Sequence, residues 1–257
     1  MISILKKMFQ TARQDVSSSG KTDPGRVRSH NEDNYCIMTE EFVFVVADGM
    51  GGHNAGEVAS QIAIETLQKY CSRNAIRKIR GKKEEIKHFL IKGFHHTNEV
   101  VMEMAQENTS RNGMGCTLVS CMIDNDSLHT CHVGDARCYI SRMEGLEQVT
   151  TDHSVIAAYE KKISAGNKIE QKKPPRQVIT RAIGFPFPED PEYHYRTINP
   201  GNRILLCSDG LWSMIDKQQI QKILNSAETP TQAGETLVRE ANKAGGTDNI
   251  TAVVIFC

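Results

Sequence analysis

Short, uninterrupted apolar runs constrain this chain most. FVFVVA at 42–47, RILLC at 203–207 and ITAVVIF at 250–256 are bounded by turn residues, the signature of buried strands. Around them, helices and strands come in blocks. Ala55, Val58, Ala59, Ile62, Ala63, Leu67 and Tyr70 recur at helical spacing behind a capping box of Asn54 and Glu57. A second face, Ile86, Phe89, Leu90, Phe94, Thr97, Val101, Met104 and Ala105, predicts a helix over 83–108. From residue 115, CTLVSCMI, LHTCHV, ARCYIS and LEQVT are separated by turn residues at 124–126, 134–135 and 144–145, which predicts an antiparallel meander. Residues 153–176 are polar and read as a short helix with an exposed lobe. Strands are predicted again at 177–183, 193–198 and 203–207. Asp216 with Gln219 starts a helix, and another spans 230–244 until Gly245 and Gly246 stop it. Residues 1–24 read as a loose arm or a short edge element.

Blocks without regular β-α alternation argue against a doubly wound parallel sheet. The pattern predicts an α+β fold of antiparallel sheets packed on each other, with helices outside. Lys plus Arg and Asp plus Glu each number 31 among 257 residues, so net charge gives no support to nucleic-acid binding by phosphate neutralisation. No apolar stretch approaches the roughly 18 residues of a membrane span. Lys6 and Lys7 interrupt the short apolar start, so no export signal is expected. The eight cysteines form no C-x-x-C pair, which predicts reduced, mostly buried thiols in a cytoplasmic protein.

The acidic residues carry the chemical signal. Asp48 follows the run FVFVVA, Asp209 follows RILLCS, Asp248 precedes ITAVVIF, and Asp135 lies between two strands of the meander. Each has a glycine beside it or within two residues, and Glu32 and Asp33 add two more carboxylates. One Asp-Gly pair is an ordinary turn. Four at strand ends point to a shared oxygen-rich site, because buried carboxylates are costly unless paired or coordinated. Such donors suit Mg²⁺ or Mn²⁺ rather than Zn²⁺. Gly49 to His53 lack the Lys-Ser/Thr of a P-loop, no G-x-S-x-G surrounds Ser208, and there is no H-E-x-x-H. His95 and His96 read as ordinary histidines, and the basic runs around 77–83 and 172–173 as solvated faces.

Eight ordered stretches go further: RSHNED at 28–33, VADGMGGHNAGE at 46–57, GCT at 115–117, VGDAR at 133–137, TDHS at 151–154, ITRAIG at 179–184, LCSDGLW at 206–212 and GTDNIT at 246–251. Their series resembles the metal-dependent protein phosphatases, the PPM or type 2C serine/threonine phosphatases, and DGMGGH resembles the bacterial members. The resemblance implies an α/β (α+β) four-layer sandwich, two stacked antiparallel sheets flanked by antiparallel helix pairs. It places the phosphatase domain at 25–257, with an N-terminal extension at 1–24 and a variable flap at about 153–176. It implies two Mn²⁺ or Mg²⁺ ions, with Asp48 bridging them, the carbonyl of Gly49 on one, and Asp209 and Asp248 completing the other. Glu32 and Asp33 would lie near the centre, Asp135 would help hold a third, weaker ion, and Arg28 would clamp the substrate phosphate. A water bridging the ions would attack phosphoserine or phosphothreonine on proteins. Met50 stands where some members, mainly eukaryotic, carry a proposed general-acid histidine, and His53 would face the substrate. The partners implied are phosphoproteins and a cognate bacterial Ser/Thr kinase, with the chain a cytoplasmic monomer. A catalytically weak pseudophosphatase that binds phosphoproteins is the alternative, disfavoured because Asp48, Asp209 and Asp248 are all present.

Overall fold

The computed structural model describes residues 16–51, 55–165, 173–175 and 178–257. Ten strands form two five-stranded sheets. They are β1 (Ser17–Asp23), β2 (Asp33–Met38), β3 (Val43–Met50), β4 (Gly115–Asp124), β5 (Ser127–Val133), β6 (Arg137–Arg142), β7 (Gly145–Gln148), β8 (Glu192–Thr197), β9 (Arg203–Cys207) and β10 (Ile250–Phe256). One sheet runs β1-β10-β9-β6-β7 and the other β2-β3-β4-β5-β8, and every ladder in them is antiparallel. Among the described residues the α-helices are α1 (Ala55–Tyr70), α2 (Arg73–Ile79), α3 (Lys83–Gln106), α4 (Val155–Ser164), α5 (Asp209–Trp212), α6 (Lys217–Ser226) and α7 (Pro230–Lys243).

Alternation along the strands builds the layers. Val43, Val45 and Ala47 pack with Ala59, Ala63, Leu67, Leu90 and Phe94 of α1 and α3. Phe44 and Val46, between them, pack with Val119, Cys121, Leu206 and Val253 in the layer between the sheets. Leu205 and Val254 face outward against Ile220, Leu224, Leu237 and Ala241 of α6 and α7. Central strands are therefore buried on both faces, which is why their sequences show no polar alternation. The result is helices, sheet, sheet, helices. All eight cysteines are free thiols, and six of them are buried.

Two expectations change. The meander is split: β5 pairs with β4 and β8, whereas β6 pairs with β7 and β9 in the other sheet. Gly134 and Asp135 are thus a crossing between sheets, not a hairpin, and Gly134 takes φ 103° to make it. A Cβ there would lie 2.5 Å from Thr117 Cβ, so only glycine fits. The strand expected over 177–183 reduces, over its described part, to two isolated bridges, Ser154 with Ile179 and Cys116 with Ile183. Its backbone bonds go to two separate partners, so no ladder propagates. Of the two readings of residues 1–24, the short edge element is present as β1, which closes one edge of a sheet against β10. Helix α2, carrying Arg77 and Lys78, has too short an apolar pattern to stand out. Asn54, the expected cap of α1, lies outside the described residues. The Asp216 cap is present, accepting the Gln219 N–H at 2.8 Å.

Candidate metal centre

At one end of the inter-sheet layer the apolar series stops and polar groups continue it. Phe44 and Val46 are followed on the same face by Asp48, and Ile37 and Tyr35 lead back to Asp33. Val119 leads to Thr117, Leu206 to Ser208, and Val253 to Thr251. Strand register sets Asp33 opposite Asp48, and Asp48 opposite Thr117.

Hydrogen bonds then fix this floor. Ser208 Oγ accepts the Thr251 N–H at 2.9 Å and donates to Asp33 Oδ2 at 2.6 Å. Asp33 Oδ1 and Thr117 Oγ1 are buried without a partner. Asp209 opens α5 directly after Ser208, close enough to Asp48 for the two carboxylates to act on each other. The inter-sheet crossing brings in Asp135, whose carbonyl accepts from Trp212 Nε1 at 3.1 Å. Asp248 accepts from Arg28 Nη2 at 2.8 Å, and that guanidinium is half-exposed at the mouth.

Asn249 fastens the segment that carries Arg28 and Glu32. Its Oδ1 accepts the Glu32 N–H at 2.8 Å, while Nδ2 donates to the carbonyls of His30 at 2.8 Å and Pro24 at 3.0 Å. The Glu32 carbonyl accepts from Gly49 N at 3.1 Å and from Ser60 Oγ at 2.5 Å. Gly49 allows this close approach, since a Cβ there would meet the Gly56 carbonyl at 2.3 Å. The Glu32 carboxylate lies against Gly56 in the first turn of α1.

The electrostatics call for positive charge. Burial pushes Asp33 up to about 7 against its Ser208 and Thr251 hydrogen bonds, with Asp209 and Asp248 adding to the rise. Burial raises Asp48 well above the usual carboxylate range, and Asp33, Asp209, Asp135 and Asp248 all push the same way. Asp135 is lifted to about 7 by burial and by Asp209, and Asp209 to about 6 by burial and by Asp248. Glu32 is raised by burial, opposed by Arg28. Arg28 alone cannot offset five aspartates. The donors are carboxylates and carbonyls with no imidazole or thiolate among them, and a buried oxygen of Asp33 lacks any partner. Those features fit hard divalent ions such as Mn²⁺ or Mg²⁺.

The structure therefore brings together Arg28, Glu32, Asp33, Asp48, Gly49, Asp135, Asp209 and Asp248. His53 lies outside the described residues. Met50 ends β3 with its methyl 3.1 Å from where a Gly115 Cβ would stand, and a thioether offers no proton. Ser208, Thr117 and Asn249 are additions. Their signal was adjacency, since Ser208 and Asn249 flank Asp209 and Asp248.

A stacked-sheet sandwich whose mouth offers only oxygen donors beside one guanidinium suits metal-dependent chemistry on a phosphate group. The protein phosphatase 2C profile matches residues 26–250, and the chain belongs to that family. It is 34% identical over 238 residues to the protein phosphatase PhpP of Streptococcus pneumoniae, covering 91% of this chain and 94% of that one. It is 31% identical over 238 residues to the serine/threonine phosphatase stp of Listeria innocua, covering 91% and 93%. Among solved structures, the catalytic domain of the serine/threonine protein phosphatase PstP in complex with two manganese ions superposes with a TM-score of 0.79 at 29% identity, over 94% of this chain and 97% of that one. The chain is a metal-dependent protein phosphatase. Among the described residues no helix is long and apolar enough to cross a membrane.

Proposed function

We propose that this chain removes phosphate from phosphoserine and phosphothreonine on proteins at the mouth of the inter-sheet layer. The observation that carries the reading is the convergence of Asp33, Asp48, Asp135, Asp209 and Asp248 there, with Arg28 beside them. Asp48, the Gly49 carbonyl, Asp209 and Asp248 would hold two Mn²⁺ or Mg²⁺ ions, and Asp135 would contribute to a third. Ions so held supply Lewis acidity, lowering the pKa of water and offsetting phosphoryl charge. The protein supplies the rest. Arg28 is the phosphate clamp: its planar fork matches two phosphoryl oxygens, and on substrate binding it exchanges part of its bond to Asp248 for them. Ser208 holds Asp33 at Oδ2 and Oδ1 has no partner, so Oδ1 is free to order the attacking water or accept its proton. Attack forms a P–O bond as the bond to the seryl or threonyl oxygen breaks, and the proton that the attacking water gives up balances the one that the leaving oxygen takes from solvent. No side chain is phosphorylated on the way.

The catalytic unit is read as 25–257 with β1 as an added edge strand, and the flap as the α4 region, about 153–176. His53 is assigned to the substrate side. The setting is the cytoplasm, the chain a monomer, and the opposing enzyme a Ser/Thr kinase. The decisive experiment is phosphate release from a phosphothreonine peptide with Mn²⁺ and with EDTA, beside Asp209→Ala. Metal-dependent release that falls by orders of magnitude in the variant supports the reading. No release from folded, metal-loaded wild-type protein would favour a phosphoprotein-binding module instead.

A further inference from the structure

A second cluster of ligating side chains lies away from the carboxylate mouth. On the β5–β8 ladder, His132 stands opposite Glu192 and Thr130 opposite His194. His132, Glu192 and His194 therefore share the face turned toward the inter-sheet layer. One ligand atom from each lies within 4.8 Å of the others. His194 Nε2 is 3.4 Å from a Glu192 oxygen, and His132 Nε2 is 3.9 Å from the other. Ligand atoms of a tetrahedral ion with ~2.0–2.1 Å bonds are spaced about 3.3 Å apart, a spacing that His194 Nε2 and Glu192 already have, so the closing required is that of the His132 ring.

The hydrogen bonds leave acceptors free. The Gly134 N–H donates to His153 Nδ1 at 3.1 Å, so His153 carries its proton on Nε2 and donates it to Glu192 Oε2 at 3.0 Å. His132 Nε2 lies 2.8 Å from the Thr151 carbonyl and must donate to it. Nδ1 of this fully buried ring is then a lone pair without a partner, and His194 Nε2 is likewise buried and unpartnered. The stacking of His153 on His132, with ring centroids 4.6 Å apart, adds an outer layer. An imidazole tied to a carbonyl and a carboxylate oriented by a second imidazole are the outer hydrogen bonds that metal ligands make. Burial and the adjoining His153 hold His132 down to about 3, and burial lowers His194, so protons compete little at neutral pH.

We propose that His132, Glu192 and His194 form a second metal site, separate from the carboxylate centre and selective for a borderline divalent ion such as Zn²⁺. Two imidazoles and one carboxylate are the donors such an ion prefers, whereas Mg²⁺ is served poorly by them. The ion would tie β8 to β5 and, through Glu192 and His153, brace the crossing that presents Asp135.

Co²⁺ titration of the purified full-length chain tests this, because nitrogen-bearing four- or five-coordinate Co²⁺ absorbs visible light several-fold more strongly than six-coordinate Co²⁺ on oxygen donors. The expected result is a strong band saturating at one equivalent. It should persist in Asp209→Ala, bleach on adding Zn²⁺, and vanish in His194→Ala and Glu192→Gln. Only the weak six-coordinate spectrum in the wild-type chain, or a strong band unaffected in both variants, overturns the site. Neither readout depends on phosphatase activity, so failure here leaves the phosphatase reading untouched.

Discussion

Asp33 and Asp48 stand directly opposite one another in the β2–β3 ladder, the first buried and the second partly so, and Ser208 holds only one oxygen of the pair's first member. Like charges opposed across strands are destabilising, and burial compounds the penalty. Asp48→Asn relieves that repulsion. The expected outcome is a metal-free protein melting a few degrees higher than wild type, on the order of 1 kcal/mol. The variant should also lose the upward shift that Mn²⁺ gives the wild type, together with nearly all phosphatase activity. Melting curves in EDTA and in Mn²⁺ check both halves; an unchanged Mn²⁺ response in the variant would sink the assignment of Asp48.

The same carboxylates set the pH dependence of the metal-free chain. Asp33 and Asp135 are raised to about 7 and Asp209 to about 6, all above their values in an unfolded chain. The folded state therefore binds more protons than the unfolded state across this range, and stability falls as pH rises. In EDTA the melting temperature should drop between about pH 6.5 and pH 8, above the range where the depressed His132 and His194 act in the opposite sense. Saturating Mn²⁺ should flatten the slope, because ions take the place of the protons. A metal-free curve that rises over this window would contradict the burial and crowding described.

Arg28 separates stability from function. Its ion pair with Asp248 spans 2.8 Å, but the guanidinium is half-exposed, and such pairs contribute about 0–1 kcal/mol. Arg28→Ala should thus leave the melting temperature nearly unchanged. Activity on a phosphopeptide should fall by roughly 100-fold in kcat/KM, the scale for losing one donor to developing phosphoryl charge. Arg28→Lys should recover only part of it, since an ammonium lacks the two-pronged geometry. Steady-state kinetics on the three proteins decides this; full activity in Arg28→Ala would remove the clamp.

The strands were legible because burial on both faces leaves a local mark: FVFVVA and ITAVVIF need no partner to be recognised. The carboxylates at their ends were legible for the same reason, since a charge at the end of a buried strand is conspicuous. What was not legible depends on partners distant in sequence. The split of the meander at Gly134 rests on Thr117 crowding its α-carbon, a contact between strands. The role of β1 rests on β10, more than 200 residues away. The histidine cluster shows in the sequence only as HVGD, DHS and EYHY, three fragments that no spacing rule joins. Ser208 and Asn249 were in view beside Asp209 and Asp248, yet a hydroxyl or amide gives no sign of which backbone it will hold.

Asn249 is therefore the strongest test of the site's frame. Its side chain makes three hydrogen bonds, to Glu32 N, His30 O and Pro24 O, and together they pin the segment bearing Arg28 and Glu32. Asn249→Ala leaves these part-buried backbone groups without their partner, each costing up to about 1–3 kcal/mol and less where water reaches it. A loss of roughly 3 kcal/mol in urea unfolding is expected. Asn249→Asp keeps the acceptor for Glu32 N but loses both donors, and should fall between the two. If the amide also positions the clamp, KM for a phosphopeptide should rise in Asn249→Asp at a Mn²⁺ concentration that saturates the centre. A variant that unfolds more easily but retains the wild-type KM would make Asn249 a structural fastener with no part in placing Arg28.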